Sequence, residues 1–88
     1  MELIKGQVVA SRAGRDVARF YMVVAVEGDR VLLANGGKRP LAQPKAKNIR
    51  HINPTTHILG AGQADTDQQL RAALAAYSAN PGAKTRGG

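Results

Sequence analysis

Three arginines, Arg12, Arg15 and Arg19, stand within eight positions of one another around Gly14, between two β-patterned runs. Guanidinium forks match phosphate oxygens, and a glycine at the centre of a loop lets backbone N–H groups turn toward the same anion. The chemistry on offer is anion binding, with a phosphodiester backbone as its first target. Asp16 qualifies it. It can pair locally with Arg15 at little energetic gain, or hold Arg15 or Arg19 in position for a backbone contact.

A second basic group follows. Lys38 and Arg39 come after a glycine turn, and Lys45, Lys47 and Arg50 surround Pro44 and its sequel. Lys45-Ala46-Lys47 has an alternative reading, because lysines are also what protects an exposed strand edge from pairing with another chain. Residues 1–54 hold ten basic against four acidic side chains, so +6 of the total +7 lies there. If about five phosphates are engaged, log affinity falls against log salt with a slope of roughly −3.5 to −4.5. That term carries no sequence preference.

Other chemistry is poorly supplied. His51 and His57 are the two histidines, and with no cysteine and no nearby acidic cluster they make no metal set. Ser11 and Ser78 lack a matching histidine and acid, and Gly36-Gly37-Lys38 lacks the glycine spacing and following helix of a phosphate-binding P-loop. The expectation is a protein without catalytic residues, metal or cofactor.

These residues need elements to position them. Strands are expected over residues 7–11, 20–27, 30–34, 39–43 and 48–52, separated by Glu27-Gly28-Asp29 and Asn35-Gly36-Gly37-Lys38, which suit hairpin turns. Short strands at this spacing indicate a small all-β barrel. Pro40 cannot donate to a ladder, which places the fourth strand at an edge or moves its start to Leu41. Phe20, Met22, Val24 and Val26 alternate on one face, continued by Val31 and Leu33, and this face is taken as the barrel core. The opposite face, Tyr21, Val23, Ala25, Leu32 and Ala34, is apolar as well. Bent strands feeding both walls of one core are the first explanation; a docked helix or a partner is the other.

A helix of that kind is at hand. Thr66-Asp67-Gln68-Gln69 matches a capping box, Leu70, Ala73, Leu74 and Tyr77 form one stripe, and Asn80-Pro81-Gly82 ends the pattern. The spacing predicts a helix over residues 67–79. The stripe can pack within the chain or between chains, so oligomeric state stays open. The expected organisation is a barrel over 1–54, a linker over 55–64, an amphipathic helical segment over 65–80 and a flexible tail over 81–88.

With 88 residues there is room for one small core. A pI near 10.6 favours polyanionic partners. The apolar runs are too short to span a membrane and no signal-peptide pattern opens the chain, which points to a cytoplasmic protein. Phe20, Tyr21 and Tyr77 are the only aromatic side chains. They make a poor platform for stacking single-stranded bases, so a structured backbone is the expected target.

The stretch Gly6-x-Val8-Val9-x-Ser11-x-Ala13-Gly14-Arg15-Asp16 resembles the KOW motif of RNA-binding domains, as found in short bacterial KOW proteins and a class of large-subunit ribosomal proteins. The resemblance covers residues 3–52, with its specific part in 6–26. It implies a mostly β fold, a small five-stranded SH3-like barrel, here with one C-terminal α-helix. It also implies that the loop after the first strand contacts RNA, with Gly14 as the central glycine, Arg12 and Arg15 flanking it and Arg19 ahead of the second strand. Ala18 replaces a glycine common in the family, which alters the loop's bend and the direction of Arg19. The expected function is a non-enzymatic RNA-binding module associated with the ribosome or translation. Ribosomal RNA is its first partner, and ribosomal proteins are further candidates. Its site residues are Arg12, Gly14, Arg15, Arg19, Lys38, Arg39, Lys45, Lys47 and Arg50. The alternative is a protein–protein adaptor of SH3-like type, using the Tyr21 and Val23 face or the helix stripe. A double-stranded DNA reader is weaker, because residues 67–79 carry Arg71 as their single basic side chain and so make no basic recognition helix.

Overall fold

The computed structural model of the chain describes residues 3–11 and 20–79, the last two as backbone only. Five strands and one long helix follow in the order β1 (Gln7–Ser11), β2 (Phe20–Glu27), β3 (Arg30–Ala34), β4 (Lys45–Asn48), a 3-10 turn (Ile49–His51), β5 (Ile52–Ile58) and α1 (Asp67–Ala79). The strands form one antiparallel sheet with spatial order β4-β3-β2-β1-β5. The sheet is open, since β4 and β5 lie at its two edges. Among the described residues, no helix is long and apolar enough to cross a membrane.

Strands β1, β2, β3 and helix α1 occupy the residues their patterns predict. The fourth and fifth strands do not. Residues 39–43 form turns, because Asn35 draws this segment back on itself. Its Oδ1 accepts from the backbone N–H of Gly37 at 2.9 Å and of Arg39 at 3.1 Å. The Arg39 carbonyl in turn accepts from the N–H of Asn35 and Gly36, and the Pro40 carbonyl from that of Gln43. With several of its backbone groups engaged in these turn bonds, and with Pro40 lacking a donor, the segment does not enter the ladder, which β3 makes with residues 45–48 instead.

The strand expected at 48–52 is split. Lysines 45 and 47 lie within β4, whereas Asn48 caps a 3-10 turn by accepting from Arg50 N–H at 2.9 Å. The fifth strand then runs to Ile58, through residues expected to be linker. Pro54 sits opposite Val9 in this strand, and β5 is an edge, where a missing donor is tolerated.

The two faces of the sheet carry two cores, and their assignment reverses the expectation. Leu33 lies opposite Val23, and a register shift between Val23 and Ala25 places Val31 opposite Val26. Tyr21, Val23, Val31 and Leu33 therefore pack with Val9 and Ile52 in one cluster. The face bearing Met22, with Val8 and Ala34, packs against Leu59, Leu70, Leu74 and Tyr77, with Phe20 and Val24 partly buried beside them. Val26 is left exposed. The second apolar face is thus covered by α1, and the helix stripe packs within the chain.

Two glycines allow close backbone approaches, one of them beneath the helix. Gly36 has φ +80°, and a Cβ there would run into the Asp67 carbonyl oxygen and come within 2.9 Å of the Arg71 nitrogen. Gly6, at φ +93°, lies against the Leu59 carbonyl, and its own carbonyl accepts from Leu59 N–H at 2.8 Å. Both positions combine left-handed backbone with a close approach, which admits only glycine without strain. The start of α1 is capped by Thr66 Oγ1, which accepts from Gln69 N–H at 3.1 Å, while Gln69 Oε1 accepts from Asp65 N–H rather than from Thr66. Asp67 Oδ1 accepts from Leu41 N–H at 2.7 Å and so ties the helix to the β3–β4 connection.

Candidate nucleic-acid interface

Arg12, Gly14, Arg15 and Arg19 lie outside the described residues. Their flanks are defined: β1 ends at Ser11 and β2 begins at Phe20. What surrounds Ser11 therefore shows which charges stand at the root of the arginine segment.

Lys47 Nζ donates to Ser11 Oγ at 2.9 Å. In the sheet order, two strands separate β4 from β1, and a flat sheet would hold them about 14 Å apart. A lysine cannot bridge that span, so the sheet must curl until the far part of β4 meets the end of β1. Lys45 and Lys47 lie opposite Leu33 and Val31, and so rise from the face that bears the Tyr21–Leu33 cluster. Ile52 lies opposite Ser11. This places Arg50, exposed on the 3-10 turn, two residues ahead of the same corner. Ile49 N–H donates to the Asp29 carbonyl at 3.0 Å, which anchors that turn to the β2–β3 hairpin.

The second basic group of the sequence thus divides. Lys47 stands beside Ser11, the last described residue before Arg12, with Lys45 on the same face of β4 and Arg50 on the turn that leads to Ile52, opposite Ser11. Lys38 and Arg39 are exposed on the β3–β4 turn beside the start of α1. Arg71 joins them, since its Nη1 donates to the Gly36 carbonyl at 3.3 Å. Nothing close in sequence marks Arg71 for this place, 35 residues from its acceptor. Its position one residue after Leu70, at the flank of the apolar stripe, is the signal that places it at the rim of whatever the helix covers.

The Ser11–Lys47 contact also joins a hydroxyl to an amine, the pair some hydrolases use. Ser11 is only 1% exposed, which leaves no approach for a substrate carbonyl, so the contact serves structure. His57 stacks on Tyr77 with ring centroids 5.3 Å apart, and Phe20 meets the same ring edge-on at 5.0 Å. Those aromatic groups hold α1 on the sheet. Among the described residues, no three His, Asp or Glu side chains converge as a metal set. A cleft of about 360 Å³ opens at the start of β1, lined by Lys5 and Asp65 together with Met22 and Leu59. Its one cation and one anion give no preference for a polyanion.

Compared with models of known protein families and with curated proteins, the chain matches none.

Proposed function

We propose that this chain is a non-enzymatic RNA-binding module of the SH3-like, KOW-containing kind, acting at the ribosome or in translation. The observation that carries the reading is the Lys47–Ser11 hydrogen bond. It brings the β4 lysines and the Arg50 turn to the strand end that leads into Arg12, Gly14, Arg15 and Arg19. Ser11, the last described residue before the arginine segment, thereby stands beside a cation 36 positions away in the chain. Collective phosphate contact needs such convergence, because each exposed cation alone is worth little.

Five antiparallel strands in one curled sheet support the five-stranded SH3-like barrel that the KOW resemblance implies, although this sheet is open where a barrel would be closed. The apolar surfaces that an adaptor would use, the Tyr21 and Val23 face and the Leu70 and Leu74 stripe, are both buried inside the chain. Neither is offered to a partner in this arrangement. The basic side chains among the described residues, in contrast, are exposed or half-buried.

Ultraviolet crosslinking of the protein to RNA in cells, followed by sequencing of the attached fragments, tests the proposal. Enrichment of defined ribosomal RNA positions is the expected result. A well-expressed, folded protein with no RNA above background would return the adaptor reading to first place.

A further inference from the structure

The geometry points to a second phosphate-binding surface, formed by Lys38 and Arg39 on the β3–β4 turn and Arg71 on α1. It takes a separate backbone segment of the same folded RNA. This inference rests on the RNA-binding reading and adds to it a demand on the shape of the RNA.

The three cations come from two distant parts of the chain, and one contact unites them. Arg71 Nη1 donates to the Gly36 carbonyl, which uses one of the guanidinium's five N–H groups and leaves others for an oxyanion. The turn that presents Lys38 and Arg39 is held from within by Asn35 and from below by the helix. Asn35 Oδ1 accepts from two backbone N–H groups, and the Arg39 carbonyl accepts from two more. Gly36 lies so close to the backbone of Asp67 and Arg71 that no Cβ fits between them. A cation on such a turn loses less backbone entropy on binding than one on a free loop. Asp67 is the acidic group on this side, and its carboxylate is already accepting from Leu41 N–H.

This surface cannot share one phosphate run with the Ser11 corner. Lys45 and Lys47 rise from the face that holds the Tyr21–Leu33 cluster, whereas α1 packs on the opposite face, over Val8, Met22 and Ala34. Arg71, on α1, is therefore separated from Lys45 and Lys47 by the sheet, and its bond to the Gly36 carbonyl draws the Lys38–Arg39 turn to its side. An extended single strand following one face reaches only one of them. A stem-loop or junction, whose backbone passes twice through the same neighbourhood, reaches both.

The test is a salt titration of the full chain against a stem-loop RNA, with Lys38→Gln combined with Arg71→Gln. Removing two phosphate contacts should lower the magnitude of the log-affinity slope by roughly 1.4 to 1.8. Arg71→Lys keeps the charge and should leave the slope as in the parent protein. An unchanged slope in the folded double variant overturns the second surface while leaving the Ser11 corner and its function standing. A slope lost equally in Arg71→Lys also overturns it, because the effect would then be structural. A parent protein with no salt-dependent RNA binding removes both readings. A measurement without substitution guards against misfolding: acylation of Lys38 in the parent protein, read by mass spectrometry, should be suppressed at saturating stem-loop RNA. Full reactivity of Lys38 in that complex overturns the inference.

Discussion

Lys47 and Ser11 are hydrogen bonded at 2.9 Å although β4 and β1 are separated by two strands of the sheet. This contact gives local expression to the sheet's curl and sets a cationic strand against the root of the arginine segment. Lys47 has a second, structural part in that arrangement, because its alkyl stem lies on the face that carries Val31 and Leu33.

Lys47→Met separates the two roles. Methionine keeps much of the apolar stem but neither the charge nor the bond to Ser11. The expected cost is about 1 kcal/mol in urea unfolding, with a fall of roughly 0.7 to 0.9 in the magnitude of the RNA salt slope. Loss of stability without a change in slope would make Lys47 a purely structural residue and detach β4 from the interface.

Gly36→Ala tests whether the turn and the helix meet as closely as their backbones indicate. Left-handed strain alone costs about 1–2 kcal/mol, and the clash with Asp67 and Arg71 adds to it. Gly28→Ala is the matched control: Gly28 has φ +65°, but nothing lies within 4 Å of the added Cβ. Chemical denaturation should rank Gly36→Ala well below Gly28→Ala. Equal losses would mean that only backbone strain acts at Gly36 and that the helix yields freely.

Much of the fold was legible because local rules and tertiary packing agree there. Residues 7–11, 20–27 and 30–34 alternate and end in turn residues, and α1 carries its own cap and stripe. Failures occur where a side chain overrides the pattern. Asn35 captures two backbone donors and removes a fourth strand at 39–43, and Asn48 starts a 3-10 turn inside an expected strand. Alternation in β2 identified two apolar faces but could not say which one α1 would cover, since that depends on the register of β3 and the shift near Val24. For the site, residue type identified the cations. How they are grouped depends on the curl, which has no local sequence signature, and on Arg71, which only its place beside the Leu70 stripe marks.

Leu70→Ala examines the docking of α1. Leu70 is fully buried between the helix and the sheet face of Val8, Met22 and Ala34, so truncation should cost about 2–5 kcal/mol. Ala75→Ser, at an exposed helical position, should change stability by no more than about 0.5 kcal/mol. A Leu70→Ala loss as small as that control would mean that the helix does not contribute its stripe to the core in solution.

Arg12→Ala combined with Arg15→Ala addresses the segment that gives the proposal its chemistry. If each arginine meets a phosphate, the magnitude of the salt slope should fall by roughly 1.4 to 1.8, with weaker binding at every salt concentration. A urea unfolding curve of the same variant separates loss of phosphate contact from loss of fold. Arg12→Lys with Arg15→Lys sharpens the outcome. Point charge alone would restore the slope, whereas fork-shaped recognition of phosphate would restore the slope but only part of the affinity, since lysine cannot grip two oxygens in a plane. Affinity unchanged in the alanine pair would remove the segment from the interface and leave phosphate contact to Lys45, Lys47 and Arg50.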